Sequence, residues 1–470
     1  MEFSVGFFRF LYLISMVLVV ALTVIYCNQL FHMVTSIFLR KKTWPDARRR
    51  HAYACIIPAN NEEVVIGDLI DSIQRQDYPQ ELLQVFVVAD NCSDRTAEIA
   101  RGKGVHVLVR DNPLEIGKSY ALDYAFKRIL SMDPAPGAEG YFIFDADNVL
   151  APDYISQMNK VFDSGEEIVS GFRDSKNFSE NWVSGVNSYM FLRESRQIHY
   201  SRAALGIGSF VSGTGFLIAE GLIRQAGGWP YRTLTEDIEL SADYTARGGK
   251  IAYCTDAVFY DEQPCSLWDT IRQRLRWCRG IHQIFARRGM EMILSFLRRP
   301  SLTKWEMLVH ILPLPAIAYL WFIISPLIGA VYAAVCSVPA EVYFSECLNI
   351  GVGSFFYPYA AVFLDGLILM LQCYRRIHAT AWKKWWYMFL FPLGIYLYAP
   401  VVVAALFLRV KWKPTRHYKY DVPRPLPGHR NIYCKLSQTD EKSRIPVYPC
   451  SLPGDVVHVT RGGFCRNRRV

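Results

Sequence analysis

The chain is 470 residues long, 51% hydrophobic and 14% aromatic, with a formal charge of +9. Its apolar residues gather into four long runs around a polar, mixed-sequence middle, which excludes an ordinary soluble globule and leaves ample material for a core. Twelve cysteines without a C-x-x-C pair or Cys/His cluster suggest neither a zinc site nor a disulfide framework, and the positive charge beside the apolar runs and in the tail suits anionic lipid rather than nucleic acid.

The first run, residues 10–34, exceeds the ~20 apolar residues that cross a bilayer and is too long for a secretory leader. It predicts a retained membrane helix within residues 1–39. The basic "LRKKTWPDARRR" that follows sets residues 40–50 in the cytoplasm and the amino terminus outside. Residues 40–301 then read as a cytosolic domain with interfacial helices.

In that domain the short apolar runs "YACIIPA", "LQVFVVAD", "VHVLVRD" and "YFIFDAD" alternate with helical stretches such as 62–76, where Val65, Leu69, Ile73 and Gln76 recur at helical spacing. The alternation predicts βα units, an α/β fold and a mostly parallel sheet covered on both faces. Ligands of such sheets collect beyond the carboxyl ends of the strands. Asn60, Glu62, Asp90, Asp145 and Asp147 fall at those ends.

In "FIFDADN" two carboxylates at i and i+2 on a strand end face the same side, where Mg2+ or Mn2+ can bridge a carboxylate to a diphosphate; a turn aspartate is the plainer alternative. Asp90 can accept from a ribose hydroxyl or a base N–H, while Asp94 is assigned to capping the helix that Thr96 opens. Gly117 permits close approach, and Lys118 stands at a helix start where an anion is welcome, a place a surface lysine fits equally. In "TLTEDIEL", Thr235 can cap a helix whose first turn favours Glu236 and Asp237; opposite a metal-bound diphosphate the same pair offers a general base. "RQRLRWCRG" holds four arginines and a tryptophan, and helical winding sets Gln273, Arg276 and Trp277 within an arc of about 100°. An amide, a guanidinium and an indole on one face can grip an anion and stack on a sugar; a basic helix resting on anionic lipid is the alternative.

Three further runs, 307–336, 354–374 and 385–408, are each long enough to span, within residues 302–410. The third has Arg375, Arg376, Lys383 and Lys384 on one side and Arg409, Lys411 and Lys413 on the other, so the charge rule draws both ends inward. Pro392 and Pro400 predict a re-entrant or kinked element there. Residues 411–470 read as a basic cytosolic tail, with no nameable chemistry after Pro414.

The motifs "PANNEE", "ADNCSD", "DAD", "TED" and "QRLRW", in that order and spacing, make residues 53–288 and the membrane layout resemble the family 2 glycosyltransferases that include cellulose, chitin, hyaluronan and poly-N-acetylglucosamine synthases. The resemblance implies a GT-A fold, a UDP-sugar donor and Mg2+ or Mn2+. By position, Asp90 looks like the nucleotide-binding acid, Asp145 and Asp147 like the D-x-D pair with Asp147 the principal metal ligand, and Asp237 like the catalytic base. Asn60, Glu62 and Lys118 join the nucleotide-sugar side, and Glu236, Gln273, Arg276 and Trp277 the diphosphate and acceptor side.

The chain departs from the pattern in three places. The second motif reads Ala-Asp where many relatives have Asp-Asp, "SFVSGTGFLIAEG" lacks the cysteine common in the acceptor loop, and a single clear run precedes the catalytic domain. The expectation is a multi-pass cell-membrane enzyme with a cytoplasmic catalytic domain, inverting, that extends a polysaccharide. A single-addition glycolipid glycosyltransferase and a non-catalytic nucleotide-sugar-binding membrane protein are the alternatives. Its expected partners are a UDP-sugar, a glycan or lipid acceptor, membrane lipids and room for an accessory subunit, with no nucleic acid.

Overall fold

The computed structural model describes residues 2–132, 137–410 and 417–420. It opens with α1 (Glu2–Phe38) and continues through β1 (Tyr53–Ala59), α2 (Ile66–Gln74), β2 (Leu83–Asp90), α3 (Thr96–Gly102), β3 (His106–Arg110), α4 (Lys118–Leu130), β4 (Gly140–Ile143) and β5 (Val149–Leu150). Next come α5 (Tyr154–Asp163), β6 (Ile168–Ser175), α6 (Trp182–Arg193), a π-helical turn (Glu194–His199), α7 (Tyr200–Leu205), β7 (Phe216–Ala219), α8 (Glu220–Ala226), α9 (Glu236–Ala246) and β8 (Ala252–Asp261). The chain then turns helical, with α10 (Leu267–Arg298), α11 (Leu302–Ile311), α12 (Leu314–Val335), α13 (Ala340–Cys373), α14 (Ala381–Tyr396) and α15 (Tyr398–Phe407).

The strands form one sheet in the order β3-β2-β1-β4-β7-β6-β8-β5. β1 pairs in parallel with β2 and β4, and β2 with β3, as alternating strands and helices predict. β7 runs antiparallel to both β4 and β6, and β6 is parallel to β8, so β1, β2, β4, β6 and β8 all point the same way. Alternate residues of β1 serve opposite cores. Tyr53, Cys55 and Ile57 join Leu69, Ile73, Ile155 and Met158 from α2 and α5, while Ala54 and Ile56 join Leu122 and Phe126 from α4. Burial on both faces is why the strands read as nearly unbroken apolar runs. The α2 helix is shorter than the periodic stretch. Gln76 lies beyond its end, buried, its amide donating to Ser72 O at 3.1 Å and Ala151 O at 2.8 Å.

Among the described residues, three helical stretches are long and apolar enough to cross a membrane, Phe10–Phe38, Leu314–Val335 and Ala381–Phe407. The run at 354–374 falls within α13, where Tyr359–Cys373 is a shorter apolar helix. The run read as one span over 307–336 is broken: Leu312 is extended at ψ 130°, because the ring of Pro313 crowds a helical residue before it. The part before the break, α11, packs Met307, Leu308 and Ile311 against Phe210, Ile238 and Ile284 of the sheet domain.

The last apolar stretch is kinked, as its prolines predict. α14 stops at Tyr396, four residues before Pro400, whose ring displaces that carbonyl and supplies no N–H. Both ends are tied to the sheet domain. At the start, Lys383 Nζ donates to Ser179 O at 2.7 Å and Tyr189 Oη to Lys384 O at 2.9 Å; at the end, Arg279 Nη1 donates to Ala405 O at 3.1 Å and Leu406 O at 3.3 Å. Arg274, fully buried, donates to Gly394 O beside the kink and to Asn187 Oδ1 at 2.9 Å. Two of the four arginines in "RQRLRWCRG" therefore satisfy carbonyls at a broken apolar helix, where water is scarce, rather than lipid phosphates.

Candidate active site

Because β1, β2, β4, β6 and β8 run the same way, their carboxyl ends meet along one edge of the sheet. β4 stops at Ile143, so "DAD" is a turn rather than extended strand, closed by Asn148 N–H donating to Asp145 O at 3.0 Å. Strand alternation therefore does not apply, and the two carboxylates part company. Asp145 accepts from Lys118 Nζ, whereas Asp147 is buried.

Around Asp147 stand Glu62 from the loop after β1, Glu262 just past β8, and His417. His417 Nδ1 lies 3.6 Å from Asp147 Oδ2 and 3.4 Å from Glu262 Oε2, and its Nε2 lies 3.7 Å from Glu62 Oε1. Burial raises the Glu62 carboxyl to about 8, with His417 opposing the rise and Asp147 adding to it. Burial lowers the His417 imidazole, but the surrounding carboxylates outweigh it and carry the group up to about 10. Glu62 Oε2 and His417 Nδ1 are buried without hydrogen-bond partners among the described residues. Asp147, Glu262 and His417 each bring one ligand atom within 4.8 Å of the others, so this donor set fits a divalent cation better than it satisfies itself.

The reading of the tail as free of chemistry is thereby corrected. Its described residues reach the site: Tyr418 N–H donates to Glu262 Oε1 at 3.0 Å, Lys419 Nζ is 3.7 Å from Asp68, and Tyr420 Oη meets Cys265 Sγ at 3.4 Å. The remainder, 411–416 and 421–470, lies outside the described residues.

A second group assembles beside Asp145. Lys118 opens α4 behind Gly117, whose φ of 128° favours glycine, and its Nζ also donates to Gly213 O at 2.8 Å. Burial lowers this ammonium, yet Asp145, Glu236 and Asp237 carry it above its ordinary value. Glu236 and Asp237 form the first turn of α9, where the helix dipole favours acids. Burial raises Glu236 to about 7, Asp237 adding to the rise and Lys118 opposing it; burial raises Asp237 as well, with Lys118 and Arg276 opposing. Thr235 makes no side-chain capping bond, and its Oγ1 has no partner among the described residues. It packs on Gly280 of α10, where a Cβ would stand 2.9 Å from the Thr235 nitrogen.

That close approach delivers the third motif. Arg276 Nη1 donates to Leu234 O at 3.0 Å, just before the acidic pair. Gln273 lies half-buried one turn earlier on α10. Trp277 meets Phe191 edge to face, with centroids 5.9 Å apart, and the Arg173 guanidinium covers Phe191 at 3.6 Å. Arg173 pairs in turn with Asp261, which accepts from Asn148 Nδ2 at 3.0 Å.

On the other side, Asp90 Oδ1 accepts from Arg110 Nη1 at 2.6 Å and from Asn91 Nδ2 at 3.0 Å; burial raises its carboxyl and Arg110 opposes. Asn60 acts as a strut, its amide donating to Asp90 O at 2.7 Å and Asn91 O at 3.2 Å. Arg95, not Asp94, takes the cap position of α3; Asp94 stands one residue earlier and closes a turn, accepting from Thr96 N–H at 3.0 Å. Sequence reasoning missed Asp261, Glu262 and His417. The acids ending "AYCTDAVFYDE" carry the same signal as those ending "FIFDAD", but no local pattern marks His417.

Residues 51–280 match the family model described as glycosyltransferase like family 2. The chain is 29% identical over 283 residues to the beta-monoglucosyldiacylglycerol synthase of Trichormus variabilis, covering 56% of each protein. It is 24% identical over 236 residues to a poly-beta-1,6-N-acetyl-D-glucosamine synthase of Staphylococcus epidermidis, covering 49% of this chain and 55% of that one. The chain thus spans about half the length of the curated relatives it matches. Among solved structures, the mannosyltransferase PcManGT from Pyrobaculum calidifontis, in complex with GDP-Man and Mn2+, superposes with a TM-score of 0.50 at 20% identity, covering 84% of this chain and 99% of that one. Residues 51–280 thus match the model of a family 2 glycosyltransferase domain, and the sheet domain has the GT-A fold.

Proposed function

We propose that the chain is a membrane-bound, inverting glycosyltransferase that takes a UDP-sugar on the cytoplasmic side and extends a polysaccharide. One observation carries the reading: Lys118 joins Asp145 to the field of Glu236 and Asp237, beside the Asp147 cluster and under Arg276. Phosphate-holding cations and a raised carboxyl thus flank one space at the strand ends. In this scheme Asp237 takes the proton of the acceptor hydroxyl as that oxygen bonds to the anomeric carbon, and the bond from that carbon to UDP breaks in line. Lys118 and Arg276 face the departing diphosphate, and Trp277 offers an apolar floor to the acceptor sugar. Mg2+ or Mn2+ held by Asp147 would neutralise diphosphate charge. Asp90 and Glu62 belong to the donor side, and Asn60 holds the strand ends that present them.

A second reading, one sugar added to a lipid, is favoured by the likeness to the glucosyldiacylglycerol synthase. Incubation of the purified full chain with UDP-glucose, UDP-N-acetylglucosamine or UDP-glucuronate and Mn2+ or Mg2+ tests both. UDP release with a product of many sugars supports extension, and release with a singly glycosylated diacylglycerol supports the second reading. No UDP above background from any donor with either metal would falsify both.

A further inference from the structure

We propose that the π-helical turn Glu194–His199 ties the membrane helix α1 to the loop 209–214, and that Glu194 is a positioning residue for that loop. The inference rests on the transfer reading above and deepens it, because the loop touches the groups assigned to the reaction.

The front of the loop meets three of them. Thr214 Oγ1 accepts from Asp145 N–H at 2.7 Å, and Gly213 O accepts from Lys118 Nζ at 2.8 Å. Val211 N–H donates to Ser241 Oγ at 2.9 Å, and that hydroxyl donates in turn to Asp237 O at 2.8 Å.

The back of the loop is held by the π turn. His199 Nδ1 bonds with Ser209 Oγ, and its Nε2 lies 3.4 Å from Glu194 Oε1. The Ser212 hydroxyl stands against the Glu194 carboxylate, and Ser212 O accepts from Arg173 Nη1 at 3.2 Å. Ser195 Oγ fixes Arg173 itself, accepting from its N–H at 3.2 Å and donating to its O at 3.0 Å. One turn of helix therefore fastens both ends of the loop. Its winding is what allows this. Side chains five residues apart diverge by about 140° on an α-helix, whereas the i→i+5 bonding of a π turn brings Glu194 and His199 to one side. Burial raises the Glu194 carboxyl, but His199, Ser212 and Arg173 outweigh it and bring it down to about 2. Burial lowers the His199 imidazole, and the neutral ring donates from Nε2 to Glu194 while Nδ1 accepts from Ser209.

Residues around the same turn grip α1. Arg193 Nη2 donates to Gln29 Oε1 at 2.8 Å, Arg196 Nη1 donates to Ser36 O at 3.3 Å, and Ser201 Oγ lies 3.0 Å from His32 Nδ1. His32 Nε2 is 2.8 Å from Glu306 Oε1 of α11. Gln29, His32 and Ser36 recur at helical spacing, so one polar stripe of an apolar helix faces the turn. Such a stripe is costly in lipid, and here the sheet domain supplies its partners. A shift of α1 therefore passes to the π turn, and from the turn to the loop.

Hydrogen exchange of the full chain in detergent, read by mass spectrometry, tests the linkage without requiring activity. Glu194→Ala should speed exchange of the 209–214 amides roughly 10-fold while residues 53–90 exchange as in the wild type. His32→Ala, on α1, should loosen the same amides. If Glu194→Ala speeds exchange throughout the chain, Ser212→Ala decides: loosening confined to 209–214 supports the linkage, and wild-type exchange there overturns it. For the positioning role, Glu194→Ala should lower kcat for transfer roughly 10- to 100-fold with UDP affinity within about twofold of wild type. Glu194→Gln, whose amide oxygen still accepts from both partners, should recover most of that loss. Unchanged loop exchange in Glu194→Ala overturns the linkage, and unchanged exchange in His32→Ala overturns its extension to α1. A loosened loop with wild-type kcat overturns the positioning role. Absence of UDP release by the wild type from any donor would instead overturn the transfer reading and the alignment built on it, with the exchange measurements still deciding the linkage.

Discussion

Glu236 and Asp237 are neighbours with different burdens. Both are raised by burial, and each ionised form disfavours the other, so the pair is held in check by Lys118 and Arg276. Asp237→Asn keeps the shape but removes the proton acceptor. Its kcat should fall ~10²- to 10⁴-fold while UDP binding stays within a fewfold of wild type, measured by turnover and by calorimetric titration with UDP. An equal loss in both would make Asp237 a binding residue. Glu236 supports a stability prediction. Its folded carboxyl sits near 7, above the ordinary 4.5, so the folded state binds the proton more tightly and stability declines as pH rises between those values. Glu236→Gln removes that decline. The thermal midpoint of the metal-free variant should exceed wild type above pH ~8 and converge with it near pH 4.5. Equal midpoints at both ends would mean that Glu236 is not destabilised by its surroundings.

At the scale of elements, α10 decides how the motifs meet. Its glycine at 280 lets it lie against Thr235, and that contact sets Arg276 beside the acidic turn of α9. Gly280→Val should push the helices apart, with a loss of ~1–3 kcal/mol in stability and a larger loss in turnover than in folding, read by denaturation and UDP release. Wild-type turnover in that variant would show that the contact is slack. The arginines of the same helix differ by environment. Arg274→Ala leaves the Gly394 carbonyl and Asn187 without a buried charged donor and should cost about 1.5–3 kcal/mol. Arg272→Ala, at an exposed pair with Asp269, should change stability by less than about 0.5 kcal/mol. Similar losses in the two would argue against the helix-bracing role of Arg274.

For the whole molecule, the stretch Ala381–Phe407 has the length and composition of a span, yet both its ends bond to the sheet domain. Basic residues on both sides point the same way. We propose that it enters the membrane and returns, so that His417 lies on the catalytic side. Reporters fused after Arg50, after Arg376 and after Val410 should all read cytoplasmic, and one inserted at Ser337 external. A reporter after Val410 on the far side from one after Arg50 would separate the tail from the site and contradict the return.

The strands, the cofacial cores and the acids at strand ends were legible because each is local. Short, nearly unbroken apolar runs require a strand buried on both faces, and an acid after such a run has no favourable place except the open edge. The same locality exposed Asp237, Lys118 and the face bearing Arg276 and Trp277. What the sequence could not decide was anything set by separation in three dimensions. The split of Asp145 from Asp147 follows from where β4 stops, the roles of Arg274 and Arg279 from carbonyls more than a hundred residues away, and the arrival of His417 from a stretch 270 residues beyond Asp147. Spacing along a chain fixes which side chains share a face. Which distant backbone atoms and acids they meet depends on packing, and packing becomes visible only when the whole chain is folded.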